Sequence, residues 1–442
     1  MTTRPASAQR RIPLARKRGD RRILVYADWN WLSKRPVLMG VLHVTQVRGD
    51  EIFAFEYNPE WLKGGIAQSL DPQLQFYEGR QIAYSEAQNF GVFLDSSPDR
   101  WGRTVMQRRE AEDARVESRE PRVLTESDYL LGVSDFHRVG GLRFKLDDGG
   151  PFLDDRIKNA APPITSIREL EAASLELEAG DIKHVEQVRM LLAPGASIGG
   201  SRPKSGVVDA KGKLWIAKFP SRNDDHDVGA WEDVVLKLAS ASGIDVSEGY
   251  SRNFSGKWRT FLTRRFDRAA NGERVHFASV MTLLGKKDGD GAGSGVSYLD
   301  IAKLASAGAD PDADLLQLWR RIAFNVSVSN ADDHLRNHGF VLTPQGWKLS
   351  AAYDMNPVPY AKGLNLNISE HSNALDLDLV IEVAPYFRIK SKDDAAKIVH
   401  QIAAQVTSWR KLAKSIGVSK SEQDRMASAF RVAEEFTARP RK

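Results

Sequence analysis

The stretch Asn325 to Phe340, NVSVSNADDHLRNHGF, gathers side chains that can accept a proton and hold a metal. Asp332 is followed five residues on by Asn337, and another oxygen donor, Asp354, lies in Ala352-Tyr353-Asp354-Met355. A carboxylate can take the proton of a hydroxyl. An amide oxygen and a second carboxylate suit Mg²⁺, a hard cation that prefers oxygen ligands. The base must face the incoming hydroxyl while the Asn turns back to a nearby metal, and a loop does this better than a helix. Asp333 adjoins Asp332, so either can be the base; the five-residue step to Asn337 selects Asp332. His334 and His338 open a second reading, a metal hydrolase built on Asp332, Asp333, His334 and His338. A Zn²⁺ site needs three or four ligands in fixed geometry, so His334 is read as ordering the loop through hydrogen bonds and His338 as structural. The bland reading is a solvated acidic loop.

Flanking elements must position these groups. Leu315, Leu318, Trp319, Ile322 and Val326 recur at three- and four-residue steps, which predicts a helix leading into the loop and stopping at Ser329-Asn330. After the loop, Phe340-Val341-Leu342 and Trp347-Lys348-Leu349 predict a hairpin turned by Thr343-Pro344-Gln345-Gly346, with Asp354 beyond it. Helix, loop with Asp and Asn, hairpin, Asp is the order of a protein-kinase catalytic centre. Upstream, Pro194 to Lys204, PGASIGGSRPK, sets flexible backbone beside hydroxyls and cations, as a phosphate-holding loop does. It departs from the Walker pattern, since Ser201 stands where Lys should follow Gly200, and it lacks GxGxxG. Ser205–Val208 and Leu214–Phe219 read as strands around the turn Asp209–Gly212, ending near Lys218. A helix from about Val228 to Ser242 offers Glu232 as an ion-pair partner for that Lys, in competition with Asp233, Asp224, Asp225 and Asp227. Thr260 to Arg268 is an apolar strand entering a charged turn.

The chain of 442 residues has 42% hydrophobic residues, no cysteine and a formal charge of +5. That length predicts two domains or one large bilobal unit. The lack of cysteine excludes disulfides, thiolate metal sites and a Cys nucleophile, and fits a cytoplasmic protein. No run of about 18 apolar residues is present to span a membrane, and no apolar segment follows the N-terminal arginines as in a secretory signal. Residues 1–22 hold eight basic groups and one acid, a charge of +7 that leaves the remainder at −2. They read as a disordered basic arm, with contact to nucleic acid or an acidic partner as the alternative. Strands are expected at Ile23–Ala27, Val37–Val44 and Ile52–Phe55. In Phe93–Arg103 a helix is expected to open at Pro98 with Ser97 as its cap. Further helices are expected at Ser166–Leu192 with a break at Gly180, at Val275–Leu284, continuously from Tyr298, at Ser391–Gly417 and at Ser419–Thr437.

PGASIGGSRPKS, LWIAKFPS, FLTRRFDR, SNADDHLRNHGF, AAYDMNP and FLDSSPDRWGR stand in the order of the corresponding segments of HipA-family serine/threonine kinases, the toxins of HipBA-type toxin–antitoxin pairs. The chain resembles that family from about residue 23 to 436. The resemblance implies an α+β, bilobal fold: a mixed α/β N-terminal part with a β-rich subdomain, and an all-helical C-terminal domain. With the basic arm (1–22) and a tail (437–442) outside the match, it divides the chain into a β-rich subdomain (23–118), a kinase N-lobe (119–265) and a helical C-lobe (266–436). It implies Asp332 as base and Asn337 and Asp354 as Mg²⁺ ligands. ATP would lie against Lys218, Ser197, Ile198, Gly199, Gly200, Ser201, Arg264, Phe266, His334, Asn337 and Asp354. Ser197 matches a serine that family members autophosphorylate, which ejects the loop and silences the kinase; a dianion there would repel ATP phosphates. Family substrates include aminoacyl-tRNA synthetases. The usual partner is a HipB-like helix-turn-helix antitoxin, which brings the kinase to DNA indirectly. Arg264 stands where the best-known members have an acid, so adenine contacts there would rest on backbone. The alternative from another class is a catalytically quiet co-repressor acting with a DNA-binding antitoxin.

Overall fold

The computed structural model describes residues 20–64, 66, 68–84, 87–155, 162–180, 191 and 200–439. Its first unit is an antiparallel five-stranded sheet in the order β4-β3-β2-β1-β5. The strands are β1 (Arg21–Ala27), β2 (Val37–Val47), β3 (Asp50–Tyr57), β4 (Arg80–Ile82) and β5 (Leu142–Lys145). β3 alternates, burying Phe53, Phe55 and Tyr57 on one face, as a sheet covered on one side requires. These rings pack with Trp29, Trp61, Phe90, Phe93 and Phe144. β5 lies beyond the expected subdomain boundary at 118 and pairs with β1, Leu24 opposite Lys145. Arg21 and Arg22, read as part of the arm, belong to β1, and Arg21 forms an ion pair with Asp128 at 2.8 Å.

Helix α1 (Arg100–Val116) follows. Asp99, not Ser97, occupies the N-cap position, and the Ser97 hydroxyl instead donates back to the Phe93 carbonyl at 2.8 Å. Helix α2 (Ile167–Ala179) ends where expected, at Gly180, whose φ of 72° forms the left-handed C-cap that glycine adopts without penalty. The second sheet, β6-β7-β9-β8, comprises β6 (Lys204–Val208), β7 (Leu214–Lys218), β8 (Gly249–Arg252) and β9 (Thr260–Arg264). Helix α3 (Val228–Ala241) is capped by Asp227, whose carboxylate accepts the Ala230 N–H.

The third unit is helical around a small sheet, β10 (Phe277–Ser279), β11 (Gly339–Thr343) and β12 (Gly346–Leu349). Val275–Leu284 is therefore not one helix. Phe277 and Ser279 pair with Val341 and Gly339, and only Val280–Leu283 is helical, capped by the Ser279 hydroxyl. Strand pairing across some sixty residues overrides the local pattern. The helix expected to run on from Tyr298 is two, α4 (Tyr298–Ser306) and α5 (Pro311–Ser327), the second opened by Pro311. The C-terminal stretch also breaks. Thr407 and Ser408 turn their hydroxyls onto the Ala404 and Gln405 carbonyls between Lys392–Val406 and Trp409–Ile416, and a 3₁₀ turn parts Lys420–Met426 from Arg431–Thr437. The β11–β12 hairpin joins the units. Leu342 is buried in the core of the first sheet, the Trp31 indole donates to its carbonyl at 3.1 Å, and the Trp347 indole donates to the Ser69 carbonyl at 3.0 Å.

Candidate active site

α5 carries Trp319, Ile322 and Val326 into the helical core and stops as expected before Ser329 and Asn330. Ser329 takes a positive φ of 50°, and Asn330 is tied back to Asn325 through backbone and side chain. This turn separates the two adjacent aspartates. Asp333 points inward, where one carboxylate oxygen accepts from Tyr298 Oη, from Asn325 Nδ2 at 2.8 Å and from His338 Nε2 at 2.8 Å. His338 is thus spent on Asp333, in the structural place expected of it. Asp332 is exposed at the edge of the cleft, and loss of solvent on the cleft side pushes its carboxyl pKa up, opposed by His334 and aided by Asp354 and Asp333. Asn337 donates its amide to the Asp332 carbonyl at 3.0 Å, closing the loop; a metal would meet the amide oxygen.

Asp354 follows the hairpin with a φ of 58°. Lys218, at the end of β7, lies between two acids, 2.5 Å from Glu232 Oε1 and 2.6 Å from Asp354 Oδ1. Burial pushes the Asp354 carboxyl up, but Lys218 and Lys204 more than offset it and hold it well below the carboxylate range. Burial also presses on Lys218, and Asp354 and Glu232 raise it above its ordinary value. Glu232, sharing that one cation, is left raised by burial. The competing acids are engaged elsewhere: Asp224 with Arg202, Asp225 with Arg425, Asp227 with Arg259 and Asp233 with Lys237.

Lys204 opens β6 directly opposite Lys218. Burial, and Lys218 beside it, depress its pKa to about 8. Gly200 has a φ of 101°, a conformation that glycine adopts without penalty, and a Cβ there would crowd the Lys204 ammonium at 2.4 Å. Ser197, Ile198 and Gly199 lie outside the described residues. The segment after them is held by a part of the chain the sequence marked only as distinctive. One Asp99 oxygen accepts the Gly200 N–H at 2.6 Å and the other accepts Arg336 Nη1 at 2.5 Å. The Trp101 indole donates to the Lys204 carbonyl at 2.9 Å. Asp99, Trp101 and Arg336 were missed as site residues; their one signal was the FLDSSPDRWGR segment and the Arg between Asp332 and Asn337.

One cleft of about 510 Å³ brings together Lys218, Gly200, Ser201, Arg264, Phe266, Asp332, His334, Asn337 and Asp354. Ile216, Leu236, Phe261 and Met355 give it an apolar wall suited to a flat heterocycle. Phe266 sits among Phe277 and Tyr353, with ring centroids 5.7 and 5.5 Å away, and Arg264 is half-exposed, 3.8 Å from Glu248. The atoms that Asp354 and Asn337 would offer to a metal are oxygens, which fits Mg²⁺. Among the described residues no group of three or more His, Asp or Glu could hold a metal alone, so phosphate oxygens would have to complete the coordination.

Two lobes around such a cleft define the kinase-like class of architecture. Residues 196–410 match the HipA-like C-terminal domain, as the motifs led one to expect. It is 26% identical over 263 residues to the serine/threonine-protein kinase toxin HipA of Shewanella oneidensis, covering 52% of this chain and 59% of that one. Over 150 residues it is 31% identical to Y4mE, a kinase-named protein of Sinorhizobium fredii, covering 32% of this chain and 33% of that one. The matched stretches thus span less than two thirds of these relatives' length. In fold the chain is similar to a chain of the Shewanella oneidensis complex of HipA, HipB and operator DNA. The TM-score is 0.64 at 17% identity, with 94% of this chain and 96% of that one covered. No helix among the described residues is long and apolar enough to cross a membrane.

Proposed function

We propose that this chain is a Mg-ATP-dependent protein serine/threonine kinase and the toxin of a type II toxin–antitoxin pair. The observation that carries the reading is the convergence of Asp332, Asn337, Asp354 and a Glu232-held Lys218 on one cleft. Asp332 orients the substrate hydroxyl and accepts its proton as the γ-phosphoryl moves. Lys218 and Lys204 face the ATP phosphates, and the hinge from Arg264 to Phe266 borders the base. Asn337 and Asp354 would hold Mg²⁺, which would supply neutralising charge on the phosphates. Lys218 then exchanges part of its contact with Asp354 for phosphate oxygen, and Glu232 keeps it in place.

The substrate class follows from the resemblance: a translation component such as an aminoacyl-tRNA synthetase, phosphorylated in the cytoplasm to arrest growth. Autophosphorylation of Ser197 silences the kinase. A HipB-like helix-turn-helix antitoxin is the partner and DNA is met through it; the structural relative named above was solved with HipB and operator DNA. The test is incubation of the full chain with Mg²⁺ and γ-labelled ATP, then mass mapping. Label on Ser197 that is absent from Asp332→Ala supports the kinase. No label on protein shown to start unphosphorylated replaces it with the catalytically quiet co-repressor.

A further inference from the structure

Behind the hinge lies a second cavity, of about 520 Å³, which the kinase reading does not use. The loop after β1, the β6–β7 turn and residues 264–274 form its walls. Eight of its lining side chains are Lys or Arg and three are Asp or Glu. Two of those acids are already engaged. Asp28 lies 3.1 Å from Arg143 and 3.6 Å from Arg274, and Asp135 lies 2.5 and 3.5 Å from the same two. Asp267, just behind the wall, is shared by Arg265 at 2.6 Å and Arg268 at 2.8 Å. Positive charge remains in surplus, and Lys34 and Lys211 make no ion pair with any described residue. The surplus is felt by the buried groups: burial, with Arg274 and Arg265 nearby, pushes Arg268 down to about 9 against the pull of Asp267. Trp29 also lines the cavity; it is 1% exposed, and its indole N–H has no hydrogen-bond partner among the described residues.

We propose that this cavity binds a small phosphorylated metabolite. A multiply charged anion would meet Lys34, Lys211 and Lys213 at the mouth and the guanidinium groups on the wall. Arg and Lys together suit phosphate oxygens. The volume falls in the range of small-molecule sites, roughly 300–1,000 Å³. Its concave shape, set among three loops, favours a compact ligand over an extended nucleic-acid backbone. The site is distinct from the nucleotide cleft but shares Arg264 and Arg265 with it.

The test is equilibrium dialysis of the full chain with labelled inorganic pyrophosphate while a non-hydrolysable ATP analogue in excess fills the cleft. Saturable pyrophosphate binding should persist. The double variant Lys211→Glu/Lys213→Glu, on an outer turn, should weaken it about tenfold or more, the loss expected from one charge-assisted hydrogen bond, with an unchanged melting curve. Lys218→Met, which disables the cleft, should leave it unaltered, so failure of the kinase reading would not disturb this measurement. Binding fully displaced by the analogue, or equal in the double variant, overturns the proposal. So does a DNA duplex that binds through these lysines when pyrophosphate does not.

Discussion

Changing Asp332 and Asp333 one at a time should separate chemistry from folding across a single peptide bond. The Asp333 carboxylate is the common acceptor for Tyr298, Asn325 and His338, all buried. Asp333→Ala strands these three donors, each at about 1–3 kcal/mol. Release of a buried charge returns part of this, leaving a loss of roughly 4 kcal/mol, in the upper range for a point change. For a helical domain of this size that is roughly 8–16 °C in Tm. Asp332 makes no side-chain hydrogen bond within the described residues, and its charge sits near Asp354 and Asp333. Asp332→Asn should therefore hold stability to within about 1 kcal/mol while phosphoryl transfer falls by at least about 10²-fold, with ATP binding kept. Calorimetry and transfer of γ-label to a substrate protein read the two effects separately. An Asp333→Ala protein with wild-type Tm and lost transfer would refute the assignment, as would an Asp332→Asn protein that melts early.

Asp99→Asn cuts the charge-assisted bonds to Gly200 and Arg336 and should raise KM for ATP about 10-fold or more with Tm nearly unchanged; a change in kcat alone would contradict this positioning role. Glu232→Gln leaves Lys218 to Asp354, so the Mg²⁺ concentration needed for half-maximal rate should rise and kcat fall by about tenfold or more; an unaltered Mg²⁺ titration counts against it. With its pKa lowered to about 8, Lys204 should lose its charge in the free enzyme above that pH, so kcat/KM for ATP should fall as pH rises through about 8 and flatten in Lys204→Arg. The folded pKa lies below the ordinary 10.5, so the unfolded chain binds more protons between those values; the contribution of this group to folding stability rises with pH across that window, which Tm against pH would read.

The centre was legible where its parts are close in sequence. α5, the 329–337 loop and the β11–β12 hairpin form one continuous segment, and each carries its own periodicity or turn chemistry. Lys218 was legible as a strand-end cation. Glu232 could be ranked only weakly against four nearby acids, because the choice depends on which face of α3 meets β7. Asp99 and Arg336 were not legible, since their partners lie 101 and 237 residues away. Ser97 passed for a cap because its type fits one, yet a carbonyl four residues back claims it. β10 was misread as helix because three residues carry little period of their own and owe their form to β11.

The hairpin that leads from Asn337 to Asp354 also supplies Leu342 to the core of the first sheet, accepts a hydrogen bond from Trp31 and donates one to Ser69. On the ribosome, β1 to β5 emerge long before residue 342. At ordinary elongation rates the sheet waits roughly 10–40 s for its last core residue. A nascent chain halted before β11 would present an open apolar seam, the kind of surface that chaperones grasp. The N-terminal sheet and the β11–β12 hairpin therefore complete each other during biosynthesis: a chain that has closed its first core has already assembled the strand between its loop and its post-hairpin aspartate.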